Sequence, residues 1–328
     1  KTETGSAHGH EIARDPTVVL DRILLLEPEV GWRLLIALLP RFSGDHAFSS
    51  AAPRLRRRQE DDEAFIWADY DKSLVELVKR LVSAAGRDAS RWCGLVSDHD
   101  GLPPGERGVV IQGLETFLAS DLPNDAREAV WETLREETAT HRAFRDAKWA
   151  LPTDEVDRLE AIARRVEPTA PELLHAWLFG RNPRAGGEDW NEEERRIGEQ
   201  RTQAAKELFA IAGLPGLLRF AASVEDPFQL GVTLGNVEPP LADEILISNH
   251  LGDSEPHIAA FARGYFMRRG ADTPREWRVR VLASSGWNGP QRAEFFRCLT
   301  STSATWELLE QEAEEVQHLY WEQMQPNG

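Results

Sequence analysis

Apolar residues recur along most of this chain at spacings of three and four, the period of an amphipathic α-helix. The longest such pattern runs from residue 190 to residue 224 and contains Gly213 and, two positions later, Pro215. Asp189 is placed to cap a helix at its N-terminus, Gly213 to end that helix, and Pro215 to begin a second one. The pattern therefore predicts a long helix joined to a short one as a helical hairpin.

The same arrangement repeats along the rest of the chain. Polar turns containing Pro, Asp, Ser or Thr precede short helical patterns, and no segment alternates with the period of two that a half-buried strand requires. Helix starts recur roughly every 15–20 residues, so a helix pair takes about 30–40 residues, which is the size of a solenoid repeat. We predict an all-α fold, specifically an irregular α-solenoid of helical hairpins of tetratricopeptide-like or HEAT-like kind. The alternative is a degenerate helical bundle.

The predicted organisation has three parts. Residues 1–14 form a flexible polar leader, residues 15–183 an N-terminal helical-repeat lobe, and residues 188–328 a C-terminal helical-repeat lobe. The stretch 181–187, rich in Gly, Pro and Arg, separates the two lobes of what we expect to be one continuous array.

Composition narrows the classes of function. The 328 residues carry a formal net charge of −17, which argues against nucleic-acid or anionic-membrane binding, because both need a surplus of Lys and Arg. The sequence has no apolar run long enough to span a bilayer and no secretory signal, so we expect a cytoplasmic protein. Cys93 and Cys298 lie in apolar helical patterns and are predicted to be buried free thiols. The absence of an initiator Met suggests a processed product or a piece of a longer polypeptide.

No catalytic, cofactor-binding or metal-binding motif is present, and we predict no such site. His99, between two aspartates, and His250 both lie in predicted turns, where Asp and Gly are expected for backbone reasons alone. The alternative function is an enzyme of unfamiliar type with a His/carboxylate site between the two lobes. For that, His99 or His250 must converge with acids from distant helices.

Arginine clusters are the strongest candidates for partner binding, because guanidinium groups bind carboxylates in a bidentate manner and are enriched at interface hot spots. The predicted partner-binding residues form two groups, Arg54, Arg56, Arg57 and Arg58, and Arg263, Arg268, Arg269, Arg275, Arg278 and Arg280. Eleven tryptophans are present, and any that faces a groove is a natural anchor for a protein partner.

Several short segments carry a family resemblance: residues 28–41 (PEVGWRLLIALLPR), 149–152 (WALP), 177–179 (WLF), 213–220 (GLPGLLRF) and 305–309 (TWELL). They resemble the C-terminal helical repeats of large bacterial STAND-type antiviral ATPases and related large defence proteins. The resemblance implies a sensor or scaffold region whose ATPase and effector parts lie on polypeptide outside this chain, and no nucleotide-binding residue matches. We therefore predict a non-catalytic protein-binding, sensor or scaffold module of a larger bacterial defence protein. A protein partner is expected, and the candidates are a phage component and another part of the parent chain. Purely structural oligomerisation through a helix face is a further alternative.

Overall fold

The computed structural model describes residues 16–39, 67–187, 189–237, 240, 244–272, 274–284 and 286–324. Within these residues the regular structure consists of sixteen α-helices and two short 3₁₀ helices, with no β-strand. The predicted all-α class is therefore confirmed. The chain divides into two compact units, with the division between Glu167 and Pro168.

Seven of the described helices belong to the first unit. They are α1 (Pro16–Leu26), α2 (Pro28–Ala37), α3 (Trp67–Ala85), α4 (Ala89–Ser97), α5 (Pro104–Leu118), α6 (Asn124–Ala143) and α7 (Thr153–Arg165), with a 3₁₀ turn at His99–Gly101 between α4 and α5. Local chemistry sets several of the starts. The Asp88 carboxylate caps α4 by accepting from two backbone N–H groups, and prolines occupy the first turns of α2 and α5.

The core of the first unit lies between helices that are neighbours or next-but-one neighbours along the chain. α3 packs against α5, α4 against α6, and α6 against α7. Trp92 of α4 is buried in this core, where its ring stacks on Phe117 with 5.5 Å between centroids. Its indole N–H donates to the Gly86 carbonyl at 3.0 Å, which satisfies the polar end of the side chain.

Nine of the described helices belong to the second unit. They are α8 (Pro171–His175), α9 (Trp190–Ser223), α10 (Pro227–Gly235), α11 (Glu244–Ser248), α12 (Pro256–Asp272), α13 (Arg275–Ser284), α14 (Gly289–Cys298), α15 (Ser303–Leu309) and α16 (Glu314–Gln323), with a 3₁₀ turn at Ala176–Phe179 after α8. The core contains Phe266, Trp277, Trp287 and Phe295, whose rings contact one another between α12, α13 and α14.

The predicted break inside the longest helical pattern is confirmed. Gly213 has φ 60°, a left-handed conformation that interrupts the helical geometry of α9, and the Asp189 carboxylate caps α9 as predicted. On a continuous helix, residues 201 and 220 would lie about 28 Å apart. Instead the Arg201 guanidinium lies 5.9 Å from the Phe179 ring centroid, and the Phe220 ring lies 5.6 Å from it. The two halves of α9 therefore fold toward each other.

The predicted lobe boundary at residues 181–187 lies inside the second unit. The segment that precedes it is part of the second core, because Leu178 and Phe179 are fully buried there. The Phe179 carbonyl also accepts from the Asp226 backbone N–H at 2.8 Å, which ties the 3₁₀ turn to the start of α10.

Candidate functional site

A groove of about 350 Å³ lies between α9 and α10 in the second unit. It is lined by residues from the first half of α9, from α10 and from the loop before α9: Trp190, Glu193, Glu194, Ile197, Gly198, Arg201, Thr202, Gln229, Val232, Thr233, Asn236, Arg181, Asn182 and Pro183. The α9 residues recur at spacings of three and four, so a single face of that helix forms one wall. This wall is about 18 Å long, from Trp190 to Thr202.

Trp190 is the most exposed large apolar side chain of the groove, with 78% of its surface accessible. It is the first residue of α9, directly after the Asp189 cap, where no preceding turn of helix covers it. Deeper in the groove, Ile197 is buried and Val232 is half-buried, so apolar surface continues inward from Trp190. An exposed aromatic side chain beside partly buried apolar residues is typical of an anchor site for a partner.

Arg201 supplies the half-buried charge of the groove. Its Nε donates to the Leu178 carbonyl at 2.8 Å, and its guanidinium lies over the Phe179 ring. Burial lowers the pKa of Arg201 below the usual arginine value, and the Asp226 carboxylate opposes this only in part. Within the described residues no carboxylate lies within 4 Å of the Arg201 guanidinium, so its charge is not neutralised by an ion pair.

The loop before α9 is held by Glu193. One carboxylate oxygen accepts from the Ala185 backbone N–H at 2.5 Å, and the other accepts from the Gly187 N–H. Arg196 donates to the Gly186 carbonyl at 3.0 Å, and Arg181 pairs with Glu225 at 2.6 Å. These contacts order the rim of the groove, and they occupy the Glu193 and Arg181 side chains.

The first predicted arginine group, Arg54, Arg56, Arg57 and Arg58, lies outside the described residues. Members of the second group have partners within the second unit. Arg263 lies 3.5 Å from Glu294, Arg275 lies 3.2 Å from Glu307, and Arg278 donates to Thr305 and to the Gly270 carbonyl. Arg269 and Arg280 also have interaction partners. Their role in binding a second protein stays a prediction.

Arg268 links the predicted arginines to the groove. Its Nε donates to the Asn236 side-chain oxygen at 2.9 Å, and Asn236 lines the end of the groove on α10. Of the predicted arginines that the structure describes, Arg268 is therefore placed next to the groove by a direct contact.

A cluster of titratable side chains lies inside the first unit around His99 and His141, both of which are buried. The His99 Nδ1 donates to the Val96 carbonyl. The His141 Nδ1 accepts from the Leu151 backbone N–H, so the His141 ring is neutral in this contact. Burial is the main cause that lowers the pKa of both histidines, and both feel the charges of Asp100 and Arg107.

An acid from a distant helix lies near this cluster, and its charge acts on His99. Glu155 of α7 forms a two-fold ion pair with Arg107 of α5, with both contacts at 2.6 Å. His99 is only 1% exposed, however, so a substrate could contact it only if the first unit opened. His250 pairs at 3.0 Å with Asp253 of its own turn, and not with an acid of a distant helix.

The pKa of Glu137, on α6, is raised to about 7, mainly because burial disfavours the charged form. A carboxyl with a raised folded-state pKa stabilises the folded protein fully below its unfolded value of 4.5, and this contribution is lost as the pH rises through about 7. We therefore expect Glu137→Gln to be more stable than the wild type at about pH 8, by on the order of 2 kcal/mol, and equally stable at about pH 4.

Urea unfolding at the two pH values measures this difference. Glu136→Gln is the matched control, because Glu136 is the exposed neighbour, and its effect is expected to stay within about 0.5 kcal/mol. An equal stability difference for Glu137→Gln at both pH values would contradict the prediction. His99 and His141 act in the opposite direction, because a lowered histidine pKa costs stability as the pH falls below 6.5.

The described part of the chain contains two free cysteines and no group of side chains that could bind a metal ion. Cys93 and Cys298 are free thiols as predicted, although only Cys298 is fully buried, which raises its pKa and keeps it protonated. Within the described residues no group of three His, Cys, Asp or Glu side chains is arranged to hold a metal ion. Among the described helices, none combines the length and the apolar character needed to cross a membrane.

No protein-family model, curated protein or solved structure matches this chain. The resemblance to STAND-type helical repeats therefore stays a prediction.

Two residues of the groove, Trp190 and Arg201, are absent from the predicted binding residues. A signal for both is present in the sequence, because positions 190, 194, 197, 198 and 201 share one helical face that mixes aromatic, aliphatic and charged side chains. That face alone does not reveal the second wall of the groove, which comes from α10.

Proposed function

We propose that this chain is a non-catalytic protein-binding module that receives a segment of a partner protein in the groove between α9 and α10. The observation that carries the proposal is Trp190, a highly exposed tryptophan at a groove of about 350 Å³. That volume is at the lower end for a binding pocket and suits a few side chains of a peptide. An exposed indole loses a large apolar area to a partner at little conformational cost, which is why tryptophan dominates binding hot spots.

The packing of the helices supports a module of stacked hairpins. In the second unit α10 packs on α12, α12 on α14, and α14 on α16, so helices two apart along the chain are neighbours. This order is typical of α-solenoids, in which equivalent helices of successive hairpins lie side by side. We propose that each unit is an irregular solenoid of this kind, and that the chain acts as a sensor or scaffold region of a larger protein, as the defence-protein resemblance implies.

The enzymatic alternative receives less support. The cluster around His99 brings together the required residue types, but it is sealed inside the first unit, whereas a general acid or base must reach its substrate within hydrogen-bond distance. An exposed groove that displays an aromatic anchor fits recognition better than turnover.

We expect Trp190→Ala to weaken peptide binding by roughly 30-fold or more, the loss typical of a hot-spot residue. Peptides are selected from a phage-displayed library of random linear sequences on the purified chain, synthesised, and titrated by fluorescence anisotropy. The matched control is Ile211→Ala, since Ile211 is 62% exposed on the same helix but does not line the groove. Failure to select any peptide, or selected peptides that bind Trp190→Ala as tightly as the wild type, would overturn the proposal.

A further inference from the structure

Arg201 differs from Arg195 and Arg196, the two arginines that precede it on α9, in having no acidic partner among the described residues. Arg195 pairs with Glu199 at 2.8 Å and Arg196 pairs with Glu192, each four positions away along the helix. Arg201 cannot form such an ion pair within its own helix. The residues three and four positions away on either side are uncharged: Ile197, Gly198, Ala204 and Ala205. Its charge can therefore be neutralised only by a group from outside the helix.

The surroundings of Arg201 hold its guanidinium in one orientation. The Leu178 carbonyl accepts from Nε, and the Phe179 ring lies beneath the guanidinium plane. The two Nη groups make no hydrogen bond within the described residues, and they belong to a side chain that lines the groove. A guanidinium fixed at Nε, with both Nη groups available, is arranged to donate to the oxygens of an anion at low entropic cost.

The Asp226 carboxylate, whose charge acts on Arg201, already accepts a hydrogen bond. Asp226 caps α10 by accepting from the Gln229 backbone N–H at 3.0 Å, and it lies beyond ion-pair distance of Arg201. Partial burial also makes the unpaired cation costly, which lowers its pKa in the direction that an incoming anion would reverse. An anionic ligand at this position therefore gains a charge-assisted hydrogen bond and removes the cost of the unpaired cation.

The other residues that line the groove favour a side-chain carboxylate over a phosphate or a terminal carboxylate. Glu193 and Glu194 also line the groove, so a doubly charged phosphate meets repulsion that a singly charged carboxylate meets less strongly. Terminal carboxylates are typically captured by backbone N–H groups, but the N–H groups of Ala185 and Gly187 are taken by Glu193. Trp190 and Ile197 lie on the same face of α9 as Arg201 and favour an apolar neighbour for the acid.

We infer that the groove recognises a partner segment through an Asp or Glu side chain that pairs with Arg201, next to an apolar residue that packs on Trp190. This inference rests on the proposed function and names the chemistry of its ligand. It predicts a specific sequence pattern in the peptides that the groove selects.

The test uses the peptides selected on the wild-type chain, synthesised with amidated C-termini. We expect Asp or Glu to be enriched at one position beside an apolar residue. Replacing that acid by its amide should weaken binding to the wild type roughly tenfold to 100-fold, the usual worth of a charge-assisted hydrogen bond. The same replacement should have no effect on Arg201→Gln, because the partner of the acid is then absent.

Arg195→Gln is the matched control, since Arg195 lies on the same helix but pairs with Glu199 and does not line the groove. Its effect on peptide binding is expected to be less than about threefold, the range of exposed ion pairs. Thermal unfolding of both variants verifies that they fold, and the peptide replacement tests the same contact on an unmodified protein.

The outcomes separate the two proposals. Peptides that depend on Trp190 but show no preference for an acid would overturn the role of Arg201 and leave the proposed function standing. An acid preference that is present in peptides with free C-termini but lost in the amidated peptides would overturn the role of an Asp or Glu side chain. It would indicate that the groove binds a terminal carboxylate. Absence of any Trp190-dependent peptide would overturn both the function and the inference.

Discussion

Adding one methyl group at Gly231 or Gly264 is expected to destabilise the second unit by about 3 kcal/mol or more. Gly231 of α10 and Gly264 of α12 lie where these two helices pack most closely. A Cβ atom on Gly231 would stand 2.0 Å from the Phe261 carbonyl oxygen, and one on Gly264 would stand 2.0 Å from the Phe228 carbonyl oxygen. Both obstacles are backbone atoms, so the helices themselves must separate, and the core between them loses its close packing.

The measurement is urea unfolding of Gly231→Ala and Gly264→Ala, followed by hydrogen exchange of α10 and α12 so that the unfolding of the second unit is observed directly. Gly198→Ala is the matched control. Gly198 is also a helix-interior glycine of the second unit, but an added Cβ would have no atom within 4 Å. Because alanine favours helix more than glycine does, this control should gain about 0.5–1 kcal/mol. Wild-type stability in Gly231→Ala would show that α10 and α12 do not pack as closely as described.

Replacement of either member of the Arg107–Glu155 pair by Leu is expected to destabilise the first unit by roughly 3–5 kcal/mol. The two side chains are only 10% and 20% exposed, and they make two parallel contacts of 2.6 Å between α5 and α7. A further Arg107 N–H donates to the Leu102 carbonyl. Removing one partner leaves the other charge buried without its counter-charge, and this desolvation penalty is the origin of the loss.

The double variant, Arg107→Leu with Glu155→Leu, should recover most of the lost stability, because it leaves no buried charge behind. A double-mutant cycle by urea unfolding at neutral pH measures the coupling. Arg158→Leu is the matched control, since Arg158 pairs with Glu115 across the same two helices but is 46% exposed, and it should cost at most about 1 kcal/mol. Equal losses for the buried and the exposed pair would exclude burial as the cause.

The three stability predictions and the two binding predictions test different properties of the molecule. The glycine variants test whether the second unit is packed as described, and the groove that holds Trp190 depends on that packing. A peptide-binding loss in Gly231→Ala would therefore reflect the scaffold. The losses expected from Trp190→Ala and Arg201→Gln reflect contacts with the ligand, because both side chains line the groove itself.

Elements defined by local interactions were readable from the sequence. The Asp189 cap, the left-handed Gly213 and the helix starts at Pro28, Pro227 and Pro256 all follow from residues within one turn of the feature they determine. Helix hydrogen bonds join residues four apart, so the information for a helix and its ends lies in a short window of sequence. Because each helix can be predicted from such a window, the all-α class can be predicted as well.

Part of the candidate site was also present in the sequence. The lack of an acid three or four positions from Arg201 is visible without a structure, and so is the shared helical face of Trp190, Ile197 and Arg201. By contrast, the sequence does not show which acids contact the predicted partner-binding arginines at positions 263–280. In the structure Arg263 and Arg275 are paired with glutamates that lie 31 and 32 positions away, Glu294 and Glu307.

By itself the sequence determined the helices, their caps and the break at Gly213, because each depends on the free energy of a few neighbouring residues. Only the tertiary structure decided that α10 lies against the first half of α9 and forms the groove. The same is true of the burial of His99 near Arg107 and of the close packing of Gly231 against the backbone of α12. Apolar stripes are interchangeable as partners, since burial free energy depends on area and is not directional. Which helices pack together depends on how well their whole surfaces fit, and a short window of sequence does not contain this information.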